Sequence, residues 1–188
     1  MKYDGISALL VFKITKILFP KETETALCDI GIISINKNDI GIMKHYLSKR
    51  GLVFTEIRKA KPHIYIRKDH KLAEEKIITA KMLEPYPYVF YEQGKHNIPL
   101  FAEELFNSSG KKRVEISDRA SFMNILLATD SYTVGTGIMS SLLNDGRIVS
   151  IPFESEDQYI IGYILRKDMT PSPLSGRFIE MLQEKLKL

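Results

Sequence analysis

Short aliphatic and aromatic runs alternate with segments whose apolar residues fall at helical spacing, and nothing else in the sequence constrains the fold as much. SALLVFKI reads as a buried strand, KETETAL as a short polar-faced helix, and CDIGIISI as a second strand rich in Ile. NKNDIGIMKHYLSKRG opens with Asn and Asp at capping positions and places Ile42, Met43, Tyr46 and Leu47 on one face. It ends on Gly51, a residue suited to closing a helix in the left-handed region. LVFTEIRKAKPHIYIRKDH alternates like paired strands. ITAKMLEPY follows as a helix stopped by Pro85 and Pro87, then YPYVFYE as a strand. NIPLFAEELFNSSG has Asn97 as cap, Pro99 in the first turn and Gly110 as stop. RVEIS, a helix at IMSSLLN, a turn at NDG, and strands at RIVSIPF and YIIGYILRK come next. A closing helix, SGRFIEMLQEKLKL, has Phe178, Met181, Leu182 and Leu186 as its buried stripe. Such alternation predicts an α/β fold with a mostly parallel sheet.

With 188 residues the chain can form one domain or two. IRKAKPHIYI is able to carry the backbone from one sheet to another, and ESEDQYIIGYI to carry it back, which makes the middle of the chain an inserted lobe. The expected boundaries are 1–59 with 161–188 for the first lobe and 60–160 for the second.

Charge and motifs remove several function classes. The formal charge is +4, and its densest runs, RKDHK at 67–71 and KKR at 111–113, have no interleaved aromatics, so they read as solvated edges rather than a nucleic-acid face. Cys28 is the single cysteine, which rules out an intrachain disulfide and reads as a small buried hydrophobe. His45, His63, His70 and His96 all lie in polar or turn-like contexts and give it no catalytic partner. Asp4, Lys13 and Lys16 interrupt the apolar amino terminus, and Leu27 spoils a lipoprotein site, so a cytoplasmic protein with no membrane association is expected. Glu103, Glu104, Glu154 and Glu156 fall on polar faces or loops, and HExxH, GxSxG, CxxC and GxxxxGK[ST] are absent. No enzyme, metal site or cofactor is expected.

One stretch carries chemistry: SDRASFMNILLATDSYTVGTG, residues 117–137. Ser117 and Asp118 are good N-cap residues, and Phe122, Ile125, Leu126 and Thr129 line one helix face with Met123 beside them. This much describes an ordinary capped helix on a sheet. The other reading rests on position, because ligands of open α/β sheets bind beyond strand carboxyl ends, where helix N-termini present free amides. RVEIS-DRA, YVFYE-QGKHN and IISI-NKND are three such junctions, and Gly135 and Gly137 in YTVGTGI let backbone approach a ligand. Arg119 is placed to pair with a carboxylate or phosphate, although an Arg in a first turn is commonly just surface. Thr136 joins it on the same geometric grounds.

The order CDIGII, RKDHKLAEEKIITAKMLEPYPYVFYE, ISDRASFMNILLATDSYTVGTGI, RIVSIPF and IIGYILRKDMTPSPLSGRFIEML resembles the effector-binding half of LysR-type transcriptional regulators, Gram-positive members most of all. The pieces that match are the Asp-aliphatic strand, the His-x-Leu-Ala segment, the capped helix running into Gly-x-Gly, and the Ser-Pro before the final helix. The resemblance implies a two-lobed, type 2 periplasmic-binding-protein-like fold with crossing hinge strands. It also implies a small-molecule effector in the interlobe cleft and a homodimer or higher homo-oligomer; the apolar faces of the NKNDIGIMKHYLSKRG and SFMNILL helices suit such an interface or equally a core. DNA would be reached only through a winged helix-turn-helix that this chain does not contain. Matching by motif assigns ligand contacts to Ser34, Gln93, Ser117 and Asp118, with Thr15 near a further contact region. CDIGII arrives earlier than in the family, which implies an incomplete first lobe. A solute-binding protein of a transporter shares this fold and is the alternative.

Overall fold

The computed structural model describes residues 29–92, 112–139 and 145–186. The expected SALLVFKI strand, the KETETAL and NIPLFAEELFNSSG helices and most of the IMSSLLN helix lie outside these residues, as do Cys28 and His96.

The first sheet is built on the most apolar strand. β8 (Tyr159–Arg166) is buried on both faces along most of its length, so it takes the central position between β1 (Gly31–Asn36) and β2 (Leu52–Ala60). It runs antiparallel to both, with Asn36 and Ala60 each opposite Tyr159. Gly162 is required at the middle of β8: a Cβ there would strike the Thr55 carbonyl and lie 2.6 Å from the Phe54 ring. A bulge between Glu56 and Arg58 shifts the register beside it.

Helix α1 (Ile40–Ser48) follows β1 through a 3₁₀ turn at Lys37–Asp39, which Asn36 caps by accepting the Asn38 N–H at 3.0 Å. Asp39 stands at the N-cap of α1 itself but makes no side-chain capping bond. The helix closes where expected, on Gly51 at φ +66°. Met43 and Leu47 pack with Ile35, Leu52, Phe54, Ile160 and Ile164 into one core. Each such buried aliphatic contributes about 1.5–3 kcal/mol. Ile42 departs from the expected face and is 58% exposed, because it sits one position, about 100°, round the helix from Met43.

The remaining strands join in a second sheet. β3 (His63–Arg67) pairs antiparallel with β6 (Thr133–Gly135) and β7 (Ile148–Pro152), while β4 (Tyr88–Tyr91) pairs parallel with β5 (Arg113–Ile116). A parallel bridge from Tyr88 to Tyr132, with the Val89 N–H on the Tyr132 carbonyl at 2.9 Å, links β4 to the start of β6. The resulting order is β5-β4-β6-β3-β7, with β3 alone reversed. The expectation of mostly parallel pairing is corrected accordingly: among the described pairs only β4–β5 is a parallel ladder. β2 and β3 alternate as expected but do not pair with each other; residues 61–62 pass from one sheet to the other.

Both faces of the second sheet are covered. Ile64, Ile66, Ile78, Leu83, Tyr88, Tyr132, Ile151 and Phe153 form the core on the side of α2 (Ala80–Leu83). Val89, Phe122, Leu126 and Ile148 form the other, under α3 (Arg119–Ala128). Thr129, expected on the buried face of α3, is exposed and bonds the Ile125 carbonyl. The closing helix α4 (Pro173–Leu186) buries Ser175 and Leu186, whereas Met181, expected in its stripe, is 46% exposed. The Ser175 hydroxyl, donating to Asp29 at 3.0 Å, and the Leu186 carbonyl, accepting from Arg58 at 3.2 Å, fix the helix at both ends. Those anchors set its rotation and turn Met181 outward. No helix among the described residues is long and apolar enough to cross a membrane.

Candidate functional site

The topology gathers strand ends at one place. β4, β5, β6 and β7 all finish at the same edge of the second sheet, where β3 begins. In the first sheet β1 and β2 finish at the edge where β8 begins. The two crossings, residues 61–62 and 153–158, leave from these edges. They are tied together, since the Phe153 N–H donates to the Pro62 carbonyl at 3.0 Å. The second crossing is held to β1 by Asn36 Nδ2 donating to Asp157 at 3.0 Å and by the Lys37 N–H on the Gln158 carbonyl at 2.8 Å.

At the β5 end of this edge, Ser117 and Asp118 lead directly into α3. Asp118 has extended backbone (φ −133°, ψ 153°) and its Oδ1 accepts the Ser121 N–H at 2.9 Å, a regular N-cap. That backbone hydrogen bond is the main reason its carboxyl lies below the ordinary 3.8. Ser117, Asp118 and Arg119 are all exposed. The helix is aimed by Tyr91, at the end of β4, stacking on Phe122 with ring centroids 4.4 Å apart. Beside them the Glu92 N–H extends the ladder to the Ile116 carbonyl at 2.9 Å, which sets the end of β4 against Ser117. Gln93 comes next in the chain and lies outside the described residues, as does Thr15.

Thr136 follows β6 on the same edge, two strand spacings or about 10 Å from β5. Ser34 belongs to the other sheet. It pairs with Ile161 and is exposed on the face opposite the one where Ile35 enters the core. The fold therefore groups Ser117, Asp118, Arg119 and Thr136 on one edge and leaves Ser34 across the crossings.

The glycines of the Gly-Thr-Gly loop have a different cause from the expected one. A Cβ on Gly135 would run into the Tyr65 ring, 3.0 Å from Cζ, and one on Gly137 would lie 2.6 Å from His63 Nδ1. Gly137 also has φ +76°. Both glycines make room for rings of β3 rather than for an approaching ligand. His63 Nδ1 faces the Lys61 carbonyl at 3.1 Å, so this nitrogen carries the proton. Sequence reasoning passed over Tyr65 and Ser150, which share the α3 face of the sheet with His63. Their signal is a polar residue between two aliphatics, in Ile64-Tyr65-Ile66 and Val149-Ser150-Ile151.

At the opposite end of the sheet His70, expected in a polar context, is 4% exposed. Its Nδ1 accepts the Leu72 N–H at 3.1 Å, Nε2 faces the Asp130 carbonyl at 3.4 Å, and its ring meets Tyr86 edge-on at 4.4 Å. Arg67 pairs with the Asp130 carboxylate in the same corner, which lies below its ordinary pKa chiefly for that reason. The His-x-Leu-Ala segment is thus a structural latch. No group of three or more metal-ligating side chains occurs among the described residues.

Comparison with known proteins places this architecture. Residues 34–187 match the LysR substrate binding domain family. Among solved structures, the effector-binding domain of QuiR in complex with shikimate is similar at 17% identity and a TM-score of 0.55, over 89% of this chain and 76% of that one. The reduced OxyR regulatory domain from Pseudomonas aeruginosa gives 13% identity and 0.56, over 89% and 76%. HinK, a LysR family regulator from the same organism, gives 12% and 0.57, over 89% of this chain and 56% of HinK. At these identities the likeness concerns the fold, a type 2 periplasmic-binding-protein-like α/β arrangement. No curated protein matches the chain. The chain belongs to the LysR substrate-binding domain family and is the effector-binding domain of a LysR-type regulator.

Proposed function

We propose that this domain binds a small metabolite between two lobes, 1–59 with 161–188 and 60–160, and that binding alters DNA contacts made by a separate winged helix-turn-helix. The observation that carries the reading is the convergence of the β4, β5 and β6 carboxyl ends, with the α3 N-terminus, on the edge from which both crossings leave. The positive end of α3, with exposed Arg119 in its first turn, suits an anionic or polar group there. Ser117, Asp118, Arg119 and Thr136 contact the ligand from one lobe and Ser34 from the other, with Gln93 and Thr15 completing the set. The shikimate bound to QuiR, a fold neighbour, supports a ligand of this size. The domain performs no catalysis, works in the cytoplasm and assembles as a homodimer. The family match favours this reading over a solute-binding protein of a transporter.

A thermal-shift screen of small carboxylates and polyols on the 188-residue chain tests it. A true effector at saturating excess stabilises the fold by about 2–4 kcal/mol through mass action, and Arg119→Ala weakens that response. A broad panel that leaves the melting temperature of folded protein unchanged refutes the binding function.

A further inference from the structure

One polar row crosses the second sheet on the face that α3 covers. Thr133 in β6, Tyr65 in β3 and Ser150 in β7 stand opposite one another in register. Thr133 is buried, and Ser150 Oγ is buried without a hydrogen-bond partner. It faces the Tyr65 hydroxyl across the row, close enough to lower its pKa but outside strict hydrogen-bond geometry. Native structures rarely leave such a hydroxyl unpaired.

The Tyr65 ring leans over Gly135, which carries its hydroxyl to the strand ends. There it donates to the Ile138 carbonyl at a long 3.4 Å, with the Thr136 side chain and Gly137 backbone beside it. Thr136, the Gly137 backbone and Ser150 surround its oxygen without a hydrogen bond of regular geometry, so a ligand donor competes with these neighbours for it. Burial raises the phenol above its ordinary 10.0, so it stays neutral. The next residue on this face of β3, Arg67, is engaged by Asp130. The Tyr65 corner is therefore neutral and hydrogen-bonding, three strands along the same edge from the exposed Ser117–Arg119 junction.

We propose that the Tyr65 hydroxyl, flanked by Thr136, recognises an uncharged hydroxyl or carbonyl group at the end of the ligand remote from α3, and so selects hydroxylated acids over their unsubstituted counterparts. This rests on the cleft reading above and adds the specificity group to it.

The test is calorimetric titration of the 188-residue chain with matched pairs: benzoate against 3- and 4-hydroxybenzoate, and cyclohexanecarboxylate against its 3-hydroxy derivative. The hydroxylated member of at least one pair binds about tenfold tighter, the scale of one neutral hydrogen bond. Tyr65→Phe keeps the ring on Gly135 and weakens only that member, closing the gap; Thr136→Val narrows it. Arg119→Ala weakens both members alike. Equal affinities in the unmodified chain, or a preference that survives Tyr65→Phe, overturn the role of Tyr65 and leave the cleft reading standing. If no member of any pair binds folded protein, the selection of hydroxylated acids by Tyr65 is overturned, while the cleft reading is decided by the broad thermal-shift screen.

Discussion

His70 gives the latch a direction in pH. As Nδ1 accepts from Leu72 and Nε2 faces a carbonyl, only the neutral ring fits, with the proton on Nε2. Burial is the chief cause of a pKa below the ordinary 6.5, outweighing the pull of Asp130, while Arg67 and Lys71 push the same way as burial. The unfolded chain then takes up a proton below about pH 6.5 that the folded chain resists. Stability contributed by His70 is full above that pH, declines as pH falls, and levels off once the folded ring titrates. Urea midpoints of the native chain are expected to drop between pH 7.5 and pH 5. In His70→Asn, which can still accept from Leu72, the midpoint starts lower and falls less. The sequence did not disclose this role, because RKDHK looks like solvated charge and the burial comes from Tyr86 and Asp130, distant in the chain. Gly135 and Gly137 were legible as close-approach positions, but what approaches them is set by β3, seventy-odd residues earlier.

Among elements, α3 was read almost whole from sequence: its cap, its start and its Phe122–Leu126 contact follow from local rules. Asp118→Ala removes the acceptor of the Ser121 N–H and is expected to lower the melting temperature by a few degrees, whereas Asp118→Asn, also a good cap, restores most of it. The same pair separates capping from ligand contact, since a charge-dependent contact is lost in both. The expected faces of α1 and α4 each miss at one position, Ile42 and Met181, while Met43, Leu47 and Leu186 are buried as expected. Periodicity defines a stripe, and in α4 the anchors at Asp29 and Arg58 decide which edge of that stripe meets the sheet. Strand existence was similarly legible and strand direction was not, because alternation reports burial and is blind to the neighbour's polarity.

On the scale of the whole molecule, the central strand of the first sheet comes from the far end of the chain. β1 and β2 touch β8 and not each other, so residues 29–152 lack the strand that joins them. The second sheet, by contrast, in which the Tyr88–Tyr132 bridge joins the β6-β3-β7 and β4-β5 ladders, draws all its described strands from residues 61–153. A fragment of 61–153 is expected to keep cooperative thermal unfolding by circular dichroism. A chain truncated after residue 152 should show amide exchange protection in β3, β4 and β7 but none in β1 or β2. Protection in β1 without β8 would contradict this division.

That arrangement also has a temporal side. Ala60 and Tyr159 are separated by roughly a hundred residues, which at elongation rates of about 5–20 residues per second is roughly 5–20 s of synthesis. Throughout that interval the emerging β1 and β2 have no partner strand among the described residues, while the segment between them and β8 can already fold. The apolar edge of GIISIN is therefore most open to misassociation on the ribosome, and the amount of usable protein a cell obtains depends on how well that nascent edge is shielded.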